Sequence, residues 1–378
     1  MGTLLLRTAD FARRRIDRFR KLRRSSWPGR WNALRRRRRM LPKRLSAETT
    51  RLIVFMLPGN DIASGGILSA ISICQVTRQL RHIHGAEAVI CTMPFDPPLS
   101  RFSRFQNQEF LFGLEEVLER CLHLEAVLFH VPEYAAGRLG SSLGGVHRQA
   151  LQRIVRVHFN ILLQDIGGAP SRDQVKLLEE LGSVSCTAAH ERYASEVTAK
   201  QLGVPVQLLS TFVSPELFNR VPYSDKRNRL VISSDRQPRK LEVLAAIRDA
   251  NPNLRMRIVR NMKYEDYKKL IERSKWTVTF GEGLDGYFVE TVFSGGIAFA
   301  TYNDRFFTPD FAGLRTVYAN VDEMIARMAA DIKALDEPNE FASYHSEQFA
   351  ICAKYYIATS YRQNVERFYR TWFLFDRS

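Results

Sequence analysis

The segment 280–303, FGEGLDGYFVETVFSGGIAFATYN, places two carboxylates, Glu282 and Glu290, around a loop that holds Gly281, Gly283 and Gly286. It then runs through Gly295 and Gly296 into an apolar stretch. A carboxylate accepts more than one hydrogen bond, which suits the vicinal hydroxyls of a ribose or a hexose. Glycines let a ligand approach the main chain closely. A loop that feeds a helix presents unpaired N–H groups to an anion. One segment thus offers a hydroxyl clamp, an anion site and a second hydroxyl clamp, which are the requirements of a nucleotide diphospho-sugar.

Such a site needs a strand, a loop and a helix to position it, and the chain repeats that unit. Strands are expected at 51–57, 87–92, 125–130, 159–164, 184–188 and 205–211, with helices from about residue 67 and over 109–124, 173–182 and 193–203. Residues 213–228, VSPELFNRVPYSDKRN, lose the period and carry two prolines, so they are expected to be a linker. The alternation restarts with strands at 229–234, 255–259, 276–280 and 297–302 and helices at 240–250, 264–274 and 286–294, and it is helical after Val321. Strands alternating with helices predict an α/β protein with parallel sheets covered on both faces. The organisation read from this is a basic arm over 1–45, a Rossmann-like domain over 46–212 and the linker. A second Rossmann-like domain over 229–360 and a closing helix over 361–378 follow. Ligands of such sheets bind at the carboxyl ends of the strands, beside helix N-termini.

A chain of 378 residues, 45% hydrophobic and 25% charged, is long enough for two such domains and a sizeable core. Its five cysteines, Cys74, Cys91, Cys121, Cys186 and Cys352, are scattered and form no CxxC, which argues against a disulfide framework and a zinc site and suits a reducing compartment. The net charge of +16 is concentrated: residues 1–45 hold 17 Lys or Arg against Asp10 and Asp17, leaving a body that is almost neutral. Within that arm Leu5, Ala9, Ala12, Ile16 and Phe19 follow helical spacing. Pro28 and Gly29 break the pattern between Trp27 and Trp31, and Arg35 to Arg39 form an unbroken run. An apolar stripe, a basic face and flanking tryptophans fit an anionic membrane surface first. Phosphate binding to nucleic acid, a solvated tail and an arginine-rich targeting peptide are the other readings. No apolar run reaches the length of a membrane span.

Glu282-GLDGYFV-Glu290 followed by SGG-IAFAT resembles the donor-site signature of the GT-B glycosyltransferases, chiefly the retaining family 4 (glycosyl transferases group 1), whose usual form is EGFGLPxxEAMACGxPVIAT. The resemblance implies that Glu290 binds the nucleotide ribose and that Glu282 meets a hydroxyl of the transferred sugar. The main chain of Gly283, Leu284, Asp285 and Gly286 would help to hold sugar or phosphate. It implies a basic pair on the diphosphate, here Arg236 and Lys240 in SSDRQPRKLEVL, with Arg239 as a substitute. Gly65 and Gly66, after Ser64, resemble the family's glycine loop facing donor phosphates and acceptor. His130 in LFHVPE stands where the family often has a histidine, and Asp165 in LLQDIGG matches the aspartate of its His-Asp pair, with Gln164 in place of the histidine. Glu282, His130 and Asp165 are therefore the catalytic candidates, none assigned as a definite general base. In retaining members the leaving diphosphate is thought to assist the incoming hydroxyl, so stabilising its charge is the protein's main contribution. No metal or cofactor is implied; the nucleotide-sugar is a substrate. The expected function is transfer of a sugar to a hydroxyl of a glycan or lipid-linked glycan, at the cytoplasmic face of a membrane, in cell-surface polysaccharide or glycoconjugate biosynthesis. Another nucleotide-sugar enzyme on the same architecture, of epimerase type, and a nucleic-acid-binding protein that uses the arm are the alternatives.

Overall fold

The computed structural model describes residues 27–62, 64–103, 109–210, 219–260, 262–280 and 284–372. Among these, twelve strands form two parallel sheets. The first runs β3-β2-β1-β4-β5-β6-β7, with β1 Arg51–Leu57, β2 Glu87–Thr92, β3 Leu111–Gly113, β4 Ala126–Pro132, β5 Arg156–Leu163, β6 Ser183–Ala188 and β7 Val206–Leu208. The second runs β12-β11-β10-β8-β9, with β8 Arg227–Ile232, β9 Arg255–Ile258, β10 Ser274–Thr279, β11 Ile297–Thr301 and β12 Val317–Tyr318.

The apolar run of β1 explains why it is central. Leu52, Val54 and Met56 enter the core on one face of the first sheet, and Ile53, Phe55 and Leu57 enter the core on the other. A strand buried on both faces reads as continuous hydrophobicity rather than alternation. The second sheet is likewise covered on both faces, by two clusters centred on Phe288 and Phe293 and on Trp276 and Phe299.

The last two helices join the domains. Pro338–Tyr356 packs on the second sheet, where Gln348 spends both ends of its amide on the backbone of Ala298. The chain is extended at Ile357, and the terminal helix Ala358–Trp372 then crosses to the first domain. There Tyr361, Val365, Phe368 and Tyr369 complete the core on the face of Ile53 and Phe55.

The structure departs from the sequence expectations in several places. The stretch 109–124 is not one helix: Leu111–Gly113 adds an edge strand before the helix Leu114–Arg120. The segment 213–228 ends in strand, because Arg227 and Asn228 open β8. Residues 1–26, with the stripe from Leu5 to Phe19, lie outside the described residues. The second half of the basic arm forms the helix Trp27–Arg44, and Pro28 lies in its first turn, where proline is tolerated. Ala33, Arg37 and Leu41 bury one stripe of this helix, and Leu41 and Leu45 belong to the core of the first domain. Among the described residues no helix is long and apolar enough to cross a membrane.

Candidate functional site

A cavity of about 420 Å³ opens where the carboxyl ends of β1, β4 and β5 meet the second domain. Its first-domain wall includes Ser64, Gly65, Gly66, Glu133, Gln164 and Asp165; Leu284 and Phe306 close it from the second domain. Gly65 and Gly66 begin the helix Gly65–Gln79, and its N-cap, Ser64, makes no side-chain capping bond. The first turn therefore carries uncapped N–H groups at the cavity wall. Gln164 crosses Gly66, donating from Nε2 to its carbonyl at 3.3 Å. A Cβ on residue 66 would stand 2.2 Å from Gln164 Oε1, so glycine is what admits this crossing.

Asp165 caps the turn Ile166–Gly168 through a bond from the Gly167 N–H at 2.9 Å. It also forms an ion pair with Arg305, on the loop after β11, and so bridges the two domains. Arg192 adds a second bridge, donating to the Phe307 carbonyl at 3.2 Å.

Glu133, which sequence reasoning passed over, heads the helix Glu133–Ser142 and is buried in the same wall. Its Oε2 accepts from the Gln164 N–H at 3.2 Å. Burial, with the charge of Asp165 adding, pushes its carboxyl up from 4.5 to about 7. An acid directly after a strand-ending proline at a helix start was the signal in sequence. The folded chain thus keeps a proton that the unfolded chain releases between those two values, and stability falls as pH rises through that window. The whole difference corresponds to about 3 kcal/mol. Glu133→Gln should melt with the parent near pH 4.5 and above it at pH 8. An equal offset at both pH values would contradict this account.

His130 is not in the cavity wall. It is fully buried in the first domain, stacked on Phe55 with ring centroids 4.4 Å apart. Its Nδ1 accepts from Asn160 Nδ2 at 3.0 Å, and its Nε2 lies 3.0 Å from the hydroxyl of Tyr369. That hydroxyl is 2.6 Å from Thr77 Oγ1, which donates to the Ile73 carbonyl. The network assigns the proton to Nε2. Burial holds the ring neutral, with its pKa pushed down to about 3. The catalytic expectation for His130 is therefore corrected: β4 runs on to Pro132, so this histidine lies within the strand and serves as a polar link inside the core.

In the second domain the expected helix over 286–294 is instead a wide π turn, Leu284–Val289, followed by the short helix Glu290–Phe293. The turn is held by Thr277 Oγ1, which donates to the Tyr287 carbonyl at 3.0 Å, and by Tyr267, which donates to the Gly286 carbonyl. Glu290 is 6% exposed and accepts from the Tyr264 hydroxyl. Gly295 and Gly296 have separate reasons. Gly295 has a left-handed φ of 82°, and a Cβ on Gly296 would stand 2.8 Å from Thr291 and 3.2 Å from the Lys275 carbonyl. Gly281, Glu282 and Gly283 lie outside the described residues, as does the side chain of Asp285.

The loop after β8 stands beside this turn. Asp235 accepts from Ser233 Oγ, Thr279 Oγ1 and the Phe280 N–H at 2.8, 2.7 and 3.1 Å, tying the carboxyl ends of β8 and β10 together. Lys240 donates to the Ser233 and Asp235 carbonyls and lies 5.1 Å above the Phe280 ring. Burial lowers its pKa, and the nearby Arg260, at the end of β9, lowers it further. Arg236 is exposed on the same loop. Arg239 is paired with Glu242 and Asp322.

The cavity thus brings together Gly65, Gly66, Asp165 and Leu284. Glu290, Lys240 and Arg236 are outside its lining, around the carboxyl ends of the second sheet. Tyr264 and Arg260 join them without a motif to announce either one. Among the described residues no group of three His, Cys, Asp or Glu could hold a metal ion.

No family model matches the sequence, and no curated protein does. Solved structures match its fold. Anabaena HepE in complex with UDP-glucose superposes with a TM-score of 0.55 at 13% identity, covering 84% of this chain and 98% of that one. HepE in complex with UDP and glucose gives 0.54 at 14% identity over the same shares. Sucrose-phosphate synthase from Thermosynechococcus elongatus gives 0.54 at 12%, covering 86% and 99%. Two parallel sheets, the crossing terminal helix and these likenesses show that the chain has the GT-B fold.

Proposed function

We propose that the chain is a nucleotide-sugar-dependent glycosyltransferase that moves a sugar, with retention, to a hydroxyl of a glycan or lipid-linked glycan in the making of a cell-surface polysaccharide or glycoconjugate. One observation carries this reading most of the way. Leu284, from the loop between the two glutamates, closes a cavity whose far wall is the start of the helix Gly65–Gln79 in the other domain. A donor held by the second domain would meet an acceptor held by the first in that space.

Glu290, oriented by Tyr264, would accept from the ribose hydroxyls, and Glu282 would meet the transferred sugar. Lys240, Arg236 and Arg260 would neutralise the diphosphate as charge develops on it. The bond from the anomeric carbon to the diphosphate oxygen breaks, the bond to the acceptor oxygen forms on the same face, and the acceptor proton passes to the departing phosphate. Asp165 and Gln164 would line the acceptor side. An anionic membrane surface is the partner that fits the 17 Lys or Arg of residues 1–45.

HepE is solved with UDP-glucose, so UDP and UDP-glucose come first in a thermal-shift screen that also holds GDP, dTDP, CMP and ADP. A nucleotide at a hundredfold its dissociation constant adds about 2.7 kcal/mol to the folded state, a shift of several degrees at roughly 2–4 °C per kcal/mol. One nucleotide should stabilise the chain and the others should not. If none does, with or without its sugar, the reading fails.

A further inference from the structure

The helix Trp27–Arg44 carries eight cations and no acid. One of the five consecutive arginines behaves differently from the rest. Arg37 is 3% exposed and donates from Nε and Nη2 to the Leu99 carbonyl, at 3.1 and 2.8 Å, and from Nη2 to Thr92 Oγ1 at 2.9 Å. With Ala33 and Leu41 it forms the inward stripe. The opposite stripe, Trp31, Arg35, Arg38, Arg39 and Pro42, is exposed, Trp31 by 58%. Arg35, Arg38 and Arg39 form no ion pair with a described residue.

The anchor also fixes where this stripe lies. Thr92 ends β2 and Gly113, packed near the Arg37 guanidinium, ends β3. The middle of the helix is therefore at the carboxyl edge of the first sheet. Its far end leads back to the amino edge, where Arg120 holds the Leu45 carbonyl and Thr50 meets the start of β4. The half that carries Trp31 and Arg35 must run past the carboxyl edge, the edge at which the cavity opens.

We propose that the helix Trp27–Arg44 is a docking face for an anionic lipid bilayer, and that it seats the carboxyl edge of the first sheet, with the cavity, against that surface. The cations attract lipid phosphates, and an exposed indole on the same stripe is an interfacial anchor. A polyanion such as a nucleic-acid duplex has no use for the indole face. The body beyond residue 45 is almost neutral in net charge. Arg227, Arg229, Arg255 and Arg257 gather on β8 and β9 of the second sheet, with no exposed indole beside them among the described residues. That the acceptor is taken from this surface rests on the glycosyltransferase reading; the docking does not.

The test is co-sedimentation of the full chain with phosphatidylcholine vesicles, plain or containing about a third phosphatidylglycerol, beside a chain carrying Trp31→Ala, Arg35→Gln, Arg38→Gln and Arg39→Gln. The parent should bind only the anionic vesicles. At about fivefold per cation, the variant should bind on the order of 10²-fold more weakly. All four side chains are outward-facing, so an unchanged melting temperature shows that the variant is folded. Parental binding by the variant overturns the proposal. So does a parent that ignores both vesicles and holds a DNA duplex in a steeply salt-dependent way. The seating is read with an environment-sensitive dye on Ile62→Cys, at the cavity, or Leu122→Cys, before β4. The five native cysteines are buried, so the introduced one is labelled. Anionic vesicles should shift the dye at 62 and not at 122; the reverse refutes the orientation. UDP stabilisation, measured on the same samples, separates the two readings: its absence counts against the transferase, and its presence without vesicle binding counts against the docking.

Discussion

Glu290→Ala should lower kcat/KM for the nucleotide-sugar by on the order of 10²- to 10³-fold while leaving the chain folded. The carboxylate is almost fully buried, and the Tyr264 hydroxyl fixes its direction. Hydrogen bonds to a charged group contribute about 1.5–3 kcal/mol each, and a ribose offers two hydroxyls. The loss should be in donor binding, so KM rises and nucleotide stabilisation disappears. Glu290→Gln keeps one acceptor oxygen and should fall between. Tyr264→Phe leaves the carboxylate in place but unsteered and should cost less than either. Donor titrations of the three variants check the order. A Glu290→Ala chain with the parental KM would remove the donor site from this segment.

The largest stability effect is expected at Tyr369. Its ring is fully buried where the terminal helix meets the first domain, and its hydroxyl links Thr77 to His130. Tyr369→Ala removes an aromatic from a packed core, at about 3–5 kcal/mol. Tyr369→Phe keeps the packing but strips two buried polar groups of a shared partner, at about 1–3 kcal/mol. Urea unfolding followed by fluorescence should rank parent, phenylalanine and alanine in that order. Because this helix also holds the second domain against the first, the alanine variant should lose activity at urea concentrations well below its main unfolding transition. Activity and structure lost together would mean that the helix does not hold the domains together independently.

Much of this fold was legible in sequence because parallel strands buried on both faces read as unbroken apolar runs; RLIVFML at β1 is the clearest case. The three-residue edge strand Leu111–Gly113 was not, because EFLFGLEEVLERCLHL keeps helical spacing across it and edge pairing leaves no local mark. The spacing of Glu282 and Glu290 was read as strand, loop and helix, and it could not show the π turn that Tyr267 and Thr277 impose from other elements in place of the start of that helix. His130 misled for a similar reason. Whether a histidine late in a strand faces a cleft or a core depends on what covers it, and its cover, Tyr369, is brought from the far end of the chain. Arg37 was hidden inside a run of like residues, since only the docked helix singles out the one that turns inward. Glu133 and Asp165 become neighbours across adjacent strands, and the raised carboxyl follows from that burial, not from any local motif.

The terminal helix has a consequence for biosynthesis. Thr77 and Tyr369, joined through their hydroxyls, are 292 residues apart. The first domain emerges from the ribosome first, yet one face of its sheet is covered only in part, by the helix Gly65–Gln79, while the whole second domain is made. Its core is completed only by Tyr361, Val365, Phe368 and Tyr369, made after the second domain. Such long-range closure is slow and leaves apolar surface open meanwhile. A nascent chain stalled before residue 358 should therefore recruit chaperones that the finished protein no longer needs.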